Sequence, residues 1–168
     1  QDLIDFYLPD GSEPADQLIP RILYPGHTPA LGWYEFNVLD SKRLLKEAGV
    51  AEGTEITLYF TELDDPSKPD LALLAENIKQ QLKLVGLTVD LNQMPEPDFR
   101  AALEKGALGF FIDYKVGEYP DASFFYDTLF TSSNQSLGRH YSDIVTQVYQ
   151  AVKITDDAIR QGYYDRVN

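Results

Sequence analysis

The chain has no cysteine in its 168 residues and only two histidines, His27 and His140, which stand far apart. Without cysteine there is no disulfide framework, no thiolate nucleophile and no cysteine-built metal site, a composition that fits an exported bacterial protein. Two distant histidines leave metal-dependent and histidine-dependent chemistry poorly supplied. Positive charge is scarce too: 14 Lys+Arg against 27 Asp+Glu give a net charge of -13. A phosphate backbone would meet mostly repulsion, so nucleic acid is not an expected partner. No apolar run approaches the roughly 20 residues of a membrane span. Catalytic motifs are missing as well. There is no G-x-S-x-G elbow, no H-E-x-x-H pair and no phosphate loop, and the acidic pair Asp64-Asp65 lies in a turn, so the expectation is a non-enzyme without cofactor or metal.

What the chain does have is apolar and aromatic material: 43% hydrophobic and 12% aromatic residues, including 11 Tyr and 9 Phe. This is enough for one globular domain with a real core. The ends predict a piece of a longer chain. Gln1 is not an initiator, DLIDFYL enters an apolar pattern uncapped, and TDDAIRQGYYDRVN stops inside a helical one.

Residues 1–36 read as an irregular connection, rich in Gly and Pro yet ordered, because so many large apolar residues would not be left in solvent. Trp33, Tyr34 and Phe36 are expected to pack as a staple at the entry of the next helix. Residues 37–168 read as an α/β lobe. Asn37 caps VLDSKRLLKEA, with Asp40 in its first turn and Gly49 as its stop. EITLYFT then alternates as a strand. Leu71, Leu74, Ala75, Ile78, Leu82 and Val85 recur at helical spacing up to Gly86, which predicts burial of Leu74, Ile78 and Leu82. A second strand (87–93), the helix PDFRAALEK and a third strand (107–113) follow. Strand, helix, strand, helix, strand predicts right-handed crossovers and a largely parallel sheet flanked by helices. Three helical patterns remain: DASFFYDTLF, SDIVTQVYQAVK, and TDDAIRQGYYDRV with Thr155 as its cap.

The most informative stretch is GFFIDYKVGEYPDASFFYDTLF, from Gly109 to Phe130, where a wholly apolar run breaks into charged and aromatic residues before a helix resumes. Open α/β sheets deliver side chains to their ligand crevice in this manner. A carboxylate at such a strand end, Glu118, can bind an ammonium group by charge-assisted hydrogen bonds, although exposed carboxylates of acidic proteins are usually only solvated. Asp113, Glu118, Asp121 and Asp127 lack the spacing of a calcium loop. His27 reads as a loop hydrogen-bonder, His140 as a surface or capping residue, and Asn134-Gln135-Ser136 as a formal sequon.

Four strings, in this order and spacing, resemble the peptide/nickel-type, family 5 extracytoplasmic solute-binding proteins of ABC transporters. They are NVLDSKRLLKEAG (37–49), NIKQQLKLVGLTVDLNQ (77–93), FRAALEKGALGFFIDYKVGEYPD (99–121) and YSDIVTQVYQAVKITDDAIRQGYY (141–164). The resemblance implies one lobe of a class II periplasmic-binding-protein-like fold. The implied function is substrate capture for an ABC importer, most often of peptides, with the ABC permease subunits as partners and a periplasmic or extracytoplasmic location. A nickel or sugar receptor, or a receptor-like domain reused for protein interaction or signalling, are the alternatives. The family presents an acidic residue to the ligand in the loop after the apolar strand, which puts Glu118 at that position with Tyr119 beside it. Lys115 and Val116 fall where such receptors lend extended backbone to the ligand, and Gly117 is expected among the ligand-binding residues beside them. Two positions depart from the family pattern: Glu118 replaces the usual Asp, and Lys115 stands near a frequent Trp. Gln147, in place of a helix Asp, reads as structural.

Overall fold

Asp70, preceding the most regular apolar pattern in the chain, places its carboxylate on the backbone N–H groups of Ala72 (2.9 Å) and Leu73 (3.1 Å), and a fourteen-residue helix, Leu71–Leu84, follows. In the computed structural model, which describes residues 2–8, 10–28, 36–63, 68–130, 135–138 and 141–168, this is α3 in the order α1 (Asp2–Tyr7), α2 (Val38–Glu47), β1 (Glu55–Thr61), α3, β2 (Thr88–Met94), α4 (Glu96–Glu104), α5 (Ala122–Phe130), α6 (Ser142–Ala151) and α7 (Asp157–Tyr164). Trp33, Tyr34, Asp64, Asp65, Asn134 and His140, all singled out from the sequence, lie outside the described residues.

Both expected stops hold. Gly49 and Gly86 adopt φ of 72° and 91°, which an L side chain rarely takes. Each closes its helix with a paired backbone motif: Val50 N to Leu45 O and Gly49 N to Lys46 O after α2, Leu87 N to Leu82 O and Gly86 N to Lys83 O after α3. At the other end of α2, Asn37 Oδ1 accepts from Asp40 N at 3.0 Å, as its cap position demands. α7 departs from expectation by one residue: Asp156, not Thr155, is the cap, its carboxylate accepting from Ile159 N at 2.9 Å.

The chain divides into two compact units. The first comprises residues 1–14, 34–102 and 108–114. Here β1 and β2 pair in parallel, in register from Glu55 with Thr88 to Thr61 with Met94, and α3 is the connection between them. The expected third strand is reduced to a single parallel bridge, Tyr59 with Phe111, made by Tyr59 N to Phe110 O (3.0 Å) and Ile112 N to Tyr59 O (2.9 Å). β1 is thus flanked on both sides. One reason the pairing stops is visible at Asp113, whose carboxylate turns back to accept from Tyr114 N (2.9 Å) and Arg100 Nη1 (2.7 Å).

Leu58, Phe60, Leu71, Ala75 and Val89 form the core of this unit. Leu74, Ile78 and Leu82, expected to be buried, are half-buried and pack against that core from its rim. The helix is rotated so that Leu71 and Ala75 point inward. Phe99 of α4 is fully buried and meets Phe111 edge-on, with ring centroids 6.4 Å apart. Phe36, expected to staple the entry of α2, is instead 75% exposed. It lines an apolar hollow of about 540 Å³ with Leu44, Leu45, Ile78, Leu82 and Leu87.

The second unit comprises residues 15–33, 103–107 and 115–168. Ile19, Ala122, Tyr126, Val148, Ala151 and Tyr164 form its core, with Tyr126 stacked on Tyr164 at 5.6 Å. Burial pushes the Tyr126 phenol well above its ordinary range. No helix or strand occurs between residues 15 and 28; polar side chains hold that stretch in place. Gln17 exchanges two hydrogen bonds with the Thr28 backbone (2.8 and 2.9 Å), Gly26 N donates to Gln161 Oε1 (2.7 Å), and Asn168 Nδ2 donates to Gly26 O (2.8 Å). His27 is the loop hydrogen-bonder its surroundings suggested, with Nε2 3.3 Å from Asp16 Oδ1.

Candidate functional site

The apolar run that enters the site, Leu108 to Ile112, is followed by Asp113 and Tyr114 and then crosses into the second unit at Lys115. Asp113 does not face a ligand or a metal: its pair with Arg100, whose guanidinium also lies over the Phe99 ring at 5.4 Å, ties the end of the run to α4. From Lys115 to Pro120 the backbone forms no regular element, and every residue is exposed. Lys115, Val116, Gly117, Glu118 and Tyr119 therefore lie in one exposed loop, as their spacing required.

The loop is not loosely attached. A Cβ on Gly117 would lie 3.1 Å from Phe125 Cζ, so its backbone rests against that ring. Tyr119 meets Phe124 edge-on at 5.2 Å, and its carbonyl accepts from Asp121 N at 2.9 Å. Glu118 lies between these two anchored residues with its carboxylate in solvent. Among the described residues, no three His, Cys, Asp or Glu come together as a metal-binding group. Asp121 is committed elsewhere: it caps α5 through Ser123 N (2.9 Å), and it accepts two hydrogen bonds from Arg160 Nη2 (2.7 and 2.8 Å). Partial burial raises the Asp121 carboxyl, but the bonds from Ser123 and Arg160 outweigh it and hold the group below its ordinary range. Asp127 goes the other way, pushed up by burial and by the nearby Asp121 charge.

In the first unit, the carboxyl ends of β1 and β2 open onto two hollows that the sequence did not single out. One, of about 430 Å³, is lined by Thr61, Glu62, Leu63, Lys68 and Gln93 among others. The other, of about 650 Å³, shares Thr61, Glu62 and Gln93 and adds Met94 and Glu96. Parallel sheets bind ligands at this end of their strands. Polar side chains at the carboxyl ends of the two strands are the signal that could have found Glu62, just past β1, and Gln93, next to the end of β2. Arg160 had no such signal, because its partner lies 39 residues away in sequence.

Comparison with known proteins bears on the family and the fold. The family described as bacterial extracellular solute-binding proteins, family 5 (middle) matches residues 1–136. The dipeptide-binding protein of Escherichia coli K12 is 25% identical over 147 residues, covering 85% of this chain and 27% of that protein. Among solved structures, HbpA2 from Haemophilus parasuis superposes with a TM-score of 0.87 at 24% identity, over 98% of this chain and 33% of that one. The dipeptide-binding protein of Pseudoalteromonas sp. SM9913, solved in complex with Met-Leu, gives 0.81 at 19% identity, over 90% and 31%. At these identities the structural matches speak for the fold, which is that of the periplasmic binding proteins. The chain spans about a third or less of the length of each of these relatives.

Proposed function

Because this chain belongs to the family 5 bacterial extracellular solute-binding proteins, we propose that it supplies one lobe of a receptor that captures short peptides outside the cytoplasm and delivers them to the permease subunits of an ABC importer. Its role is binding, not catalysis. Glu118 holds the peptide's ammonium group, Tyr119 flanks it, and the backbone of Lys115, Val116 and Gly117 pairs with the extended ligand. Such backbone pairing gives affinity with little dependence on the ligand's side chains.

The observation that carries this reading is the exposed Glu118 carboxylate between two anchored neighbours, at the end of an apolar run. A carboxylate on an anchored loop binds an ammonium with less backbone ordering, and the interaction strengthens when a closing second lobe excludes water. The two relatives whose names specify dipeptide binding favour a peptide over another solute. Among the described residues no helix is long and apolar enough to cross a membrane.

The test is calorimetric titration of the full-length receptor with di- to pentapeptides. Removing one partner of a desolvated charge pair costs about 2 to 5 kcal/mol, so Glu118→Gln is expected to weaken binding at least about tenfold. Lys115→Ala separates two roles for that residue. Tighter binding means the lysine competes with the ligand's ammonium; weaker binding means it holds a ligand carboxylate or the backbone. Unchanged affinity in Glu118→Gln refutes the ammonium assignment.

A further inference from the structure

Gly117 and Tyr119, on either side of Glu118, both rest on the first turn of α5. Gly117 lies against Phe125, Tyr119 stands edge-on to Phe124, and the two phenylalanine rings are themselves edge-on at 5.4 Å. The direction in which Glu118 is presented therefore depends on where that turn lies. Asp121 sets the turn: its N–H closes on the Tyr119 carbonyl (2.9 Å), and its Oδ1 caps Ser123 N (2.9 Å). Asp121 is in turn held by a residue from the far end of the chain. Arg160 Nη2 donates to both carboxylate oxygens, at 2.7 and 2.8 Å, and to Tyr164 Oη at 3.1 Å, and the guanidinium lies over the Tyr164 ring at 5.6 Å. The arginine side chain is only 16% exposed, and its Nε is buried without a hydrogen-bond partner. A guanidinium desolvated to that degree needs an opposite charge, and Asp121 supplies it.

We infer that Arg160 is a positioning residue for solute capture: by clamping Asp121 it fixes the first turn of α5 and, through Phe124 and Phe125, the loop that presents Glu118. The inference rests on the solute-loop reading above. It assigns to α7 a control over affinity that no contact with the ligand requires.

Two readouts on the full-length receptor test it. The first, independent of any ligand, is amide hydrogen exchange of the turn beneath the loop in the unliganded protein, where the N–H groups of Asp121, Ser123 and Phe124 are hydrogen-bonded. The second is affinity for di- to pentapeptides. Arg160→Gln and Asp121→Asn are each expected to speed exchange in that turn and to weaken peptide binding by roughly tenfold, the scale of coupling through one packed element. The double variant is expected to be no weaker than either single one, because both remove the same clamp. Arg160→Lys, which keeps the charge and loses the forked geometry, is expected to fall between and keeps the test open if Arg160→Gln does not fold. Val148→Ala, in the core of the same unit but outside the Arg160–Asp121 pair, controls for stability: it is expected to lower Tm and leave affinity unchanged. Exchange of the turn unchanged in Arg160→Gln overturns the inference, and so does unchanged affinity in a receptor whose wild type binds peptide. A wild-type receptor that binds no peptide refutes the peptide reading instead, and exchange of the turn then decides the clamp by itself.

Discussion

Leu58 and Ile78 make the same kind of contact with the same core, yet truncating them is expected to differ in cost by a factor of two or more. Leu58, in the middle of β1, is fully buried, with β2 on one side and the Phe111 bridge on the other. Leu58→Ala removes three carbons, about 2.4 kcal/mol at roughly 0.8 kcal/mol per buried methylene. A strand flanked on both sides cannot collapse into the space left behind. The cavity term therefore adds to the loss and the total reaches about 3 to 4 kcal/mol. Ile78 is half-buried on the rim of α3, beside an apolar hollow already open to water. Its truncation loses about half the transfer term and creates little enclosed void, so about 1 to 2 kcal/mol is expected. Urea unfolding followed by far-UV circular dichroism measures both, with amide exchange in β1 reporting the first unit separately from the second. An Ile78→Ala cost equal to or above that of Leu58→Ala would show that α3 packs through Ile78 and would refute the rotation of the helix described above.

Removal of the α3 cap by Asp70→Ala is expected to cost about 1 kcal/mol, read by the same unfolding, since two backbone donors lose their acceptor. Asp127→Asn is expected to raise stability near pH 7: the folded state holds this carboxyl above its ordinary value of 3.8, so the charged form is penalised there, and the advantage disappears as pH falls to that value. Asp121 has the opposite sign. Its lowered carboxyl contributes stability that is fully present above 3.8 and is lost as pH falls through the folded value, so the acid limb of a Tm-versus-pH curve is expected to flatten in Asp121→Asn. Titration of di- to pentapeptides into the isolated 168-residue chain is expected to give little or no heat, because on the proposed one-lobe reading half a cleft leaves the ligand's charges wet. Micromolar affinity would contradict that.

Local signals in the sequence were read correctly where the deciding contacts are local. Asn37 caps α2 through a bond to a residue three positions on, and the glycines after α2 and α3 close their helices within a turn. The strands of the β1–β2 pair were legible for a related reason: each is a seven-residue run whose pattern the connecting α3 brings into register. The third strand was overestimated because an apolar run says nothing of where its partners end. Only Phe111 reaches β1 as a bridge, and Asp113, which the pattern left as a strand residue, is claimed by Arg100 of α4. The burial of α3 was misjudged by a small rotation, since an apolar stripe as broad as Leu71, Leu74, Ala75, Ile78 and Leu82 allows more than one inward face.

The candidate site divides along the same line. That Lys115 to Tyr119 form an exposed loop follows from composition alone, because nothing in KVGEY continues the apolar run before it. What makes the loop more than a solvated turn is the support beneath it, and that support is long-range: Phe124 and Phe125 lie within a helix whose pattern shows only that they are apolar, and Arg160 reaches Asp121 across 39 residues. A loop presents a carboxylate to a ligand at low entropic cost only if its neighbours are already fixed. The residue proposed to meet the ligand is therefore one that the sequence already offers. The reason it is held ready emerges only when α5 and α7 are brought together around Asp121.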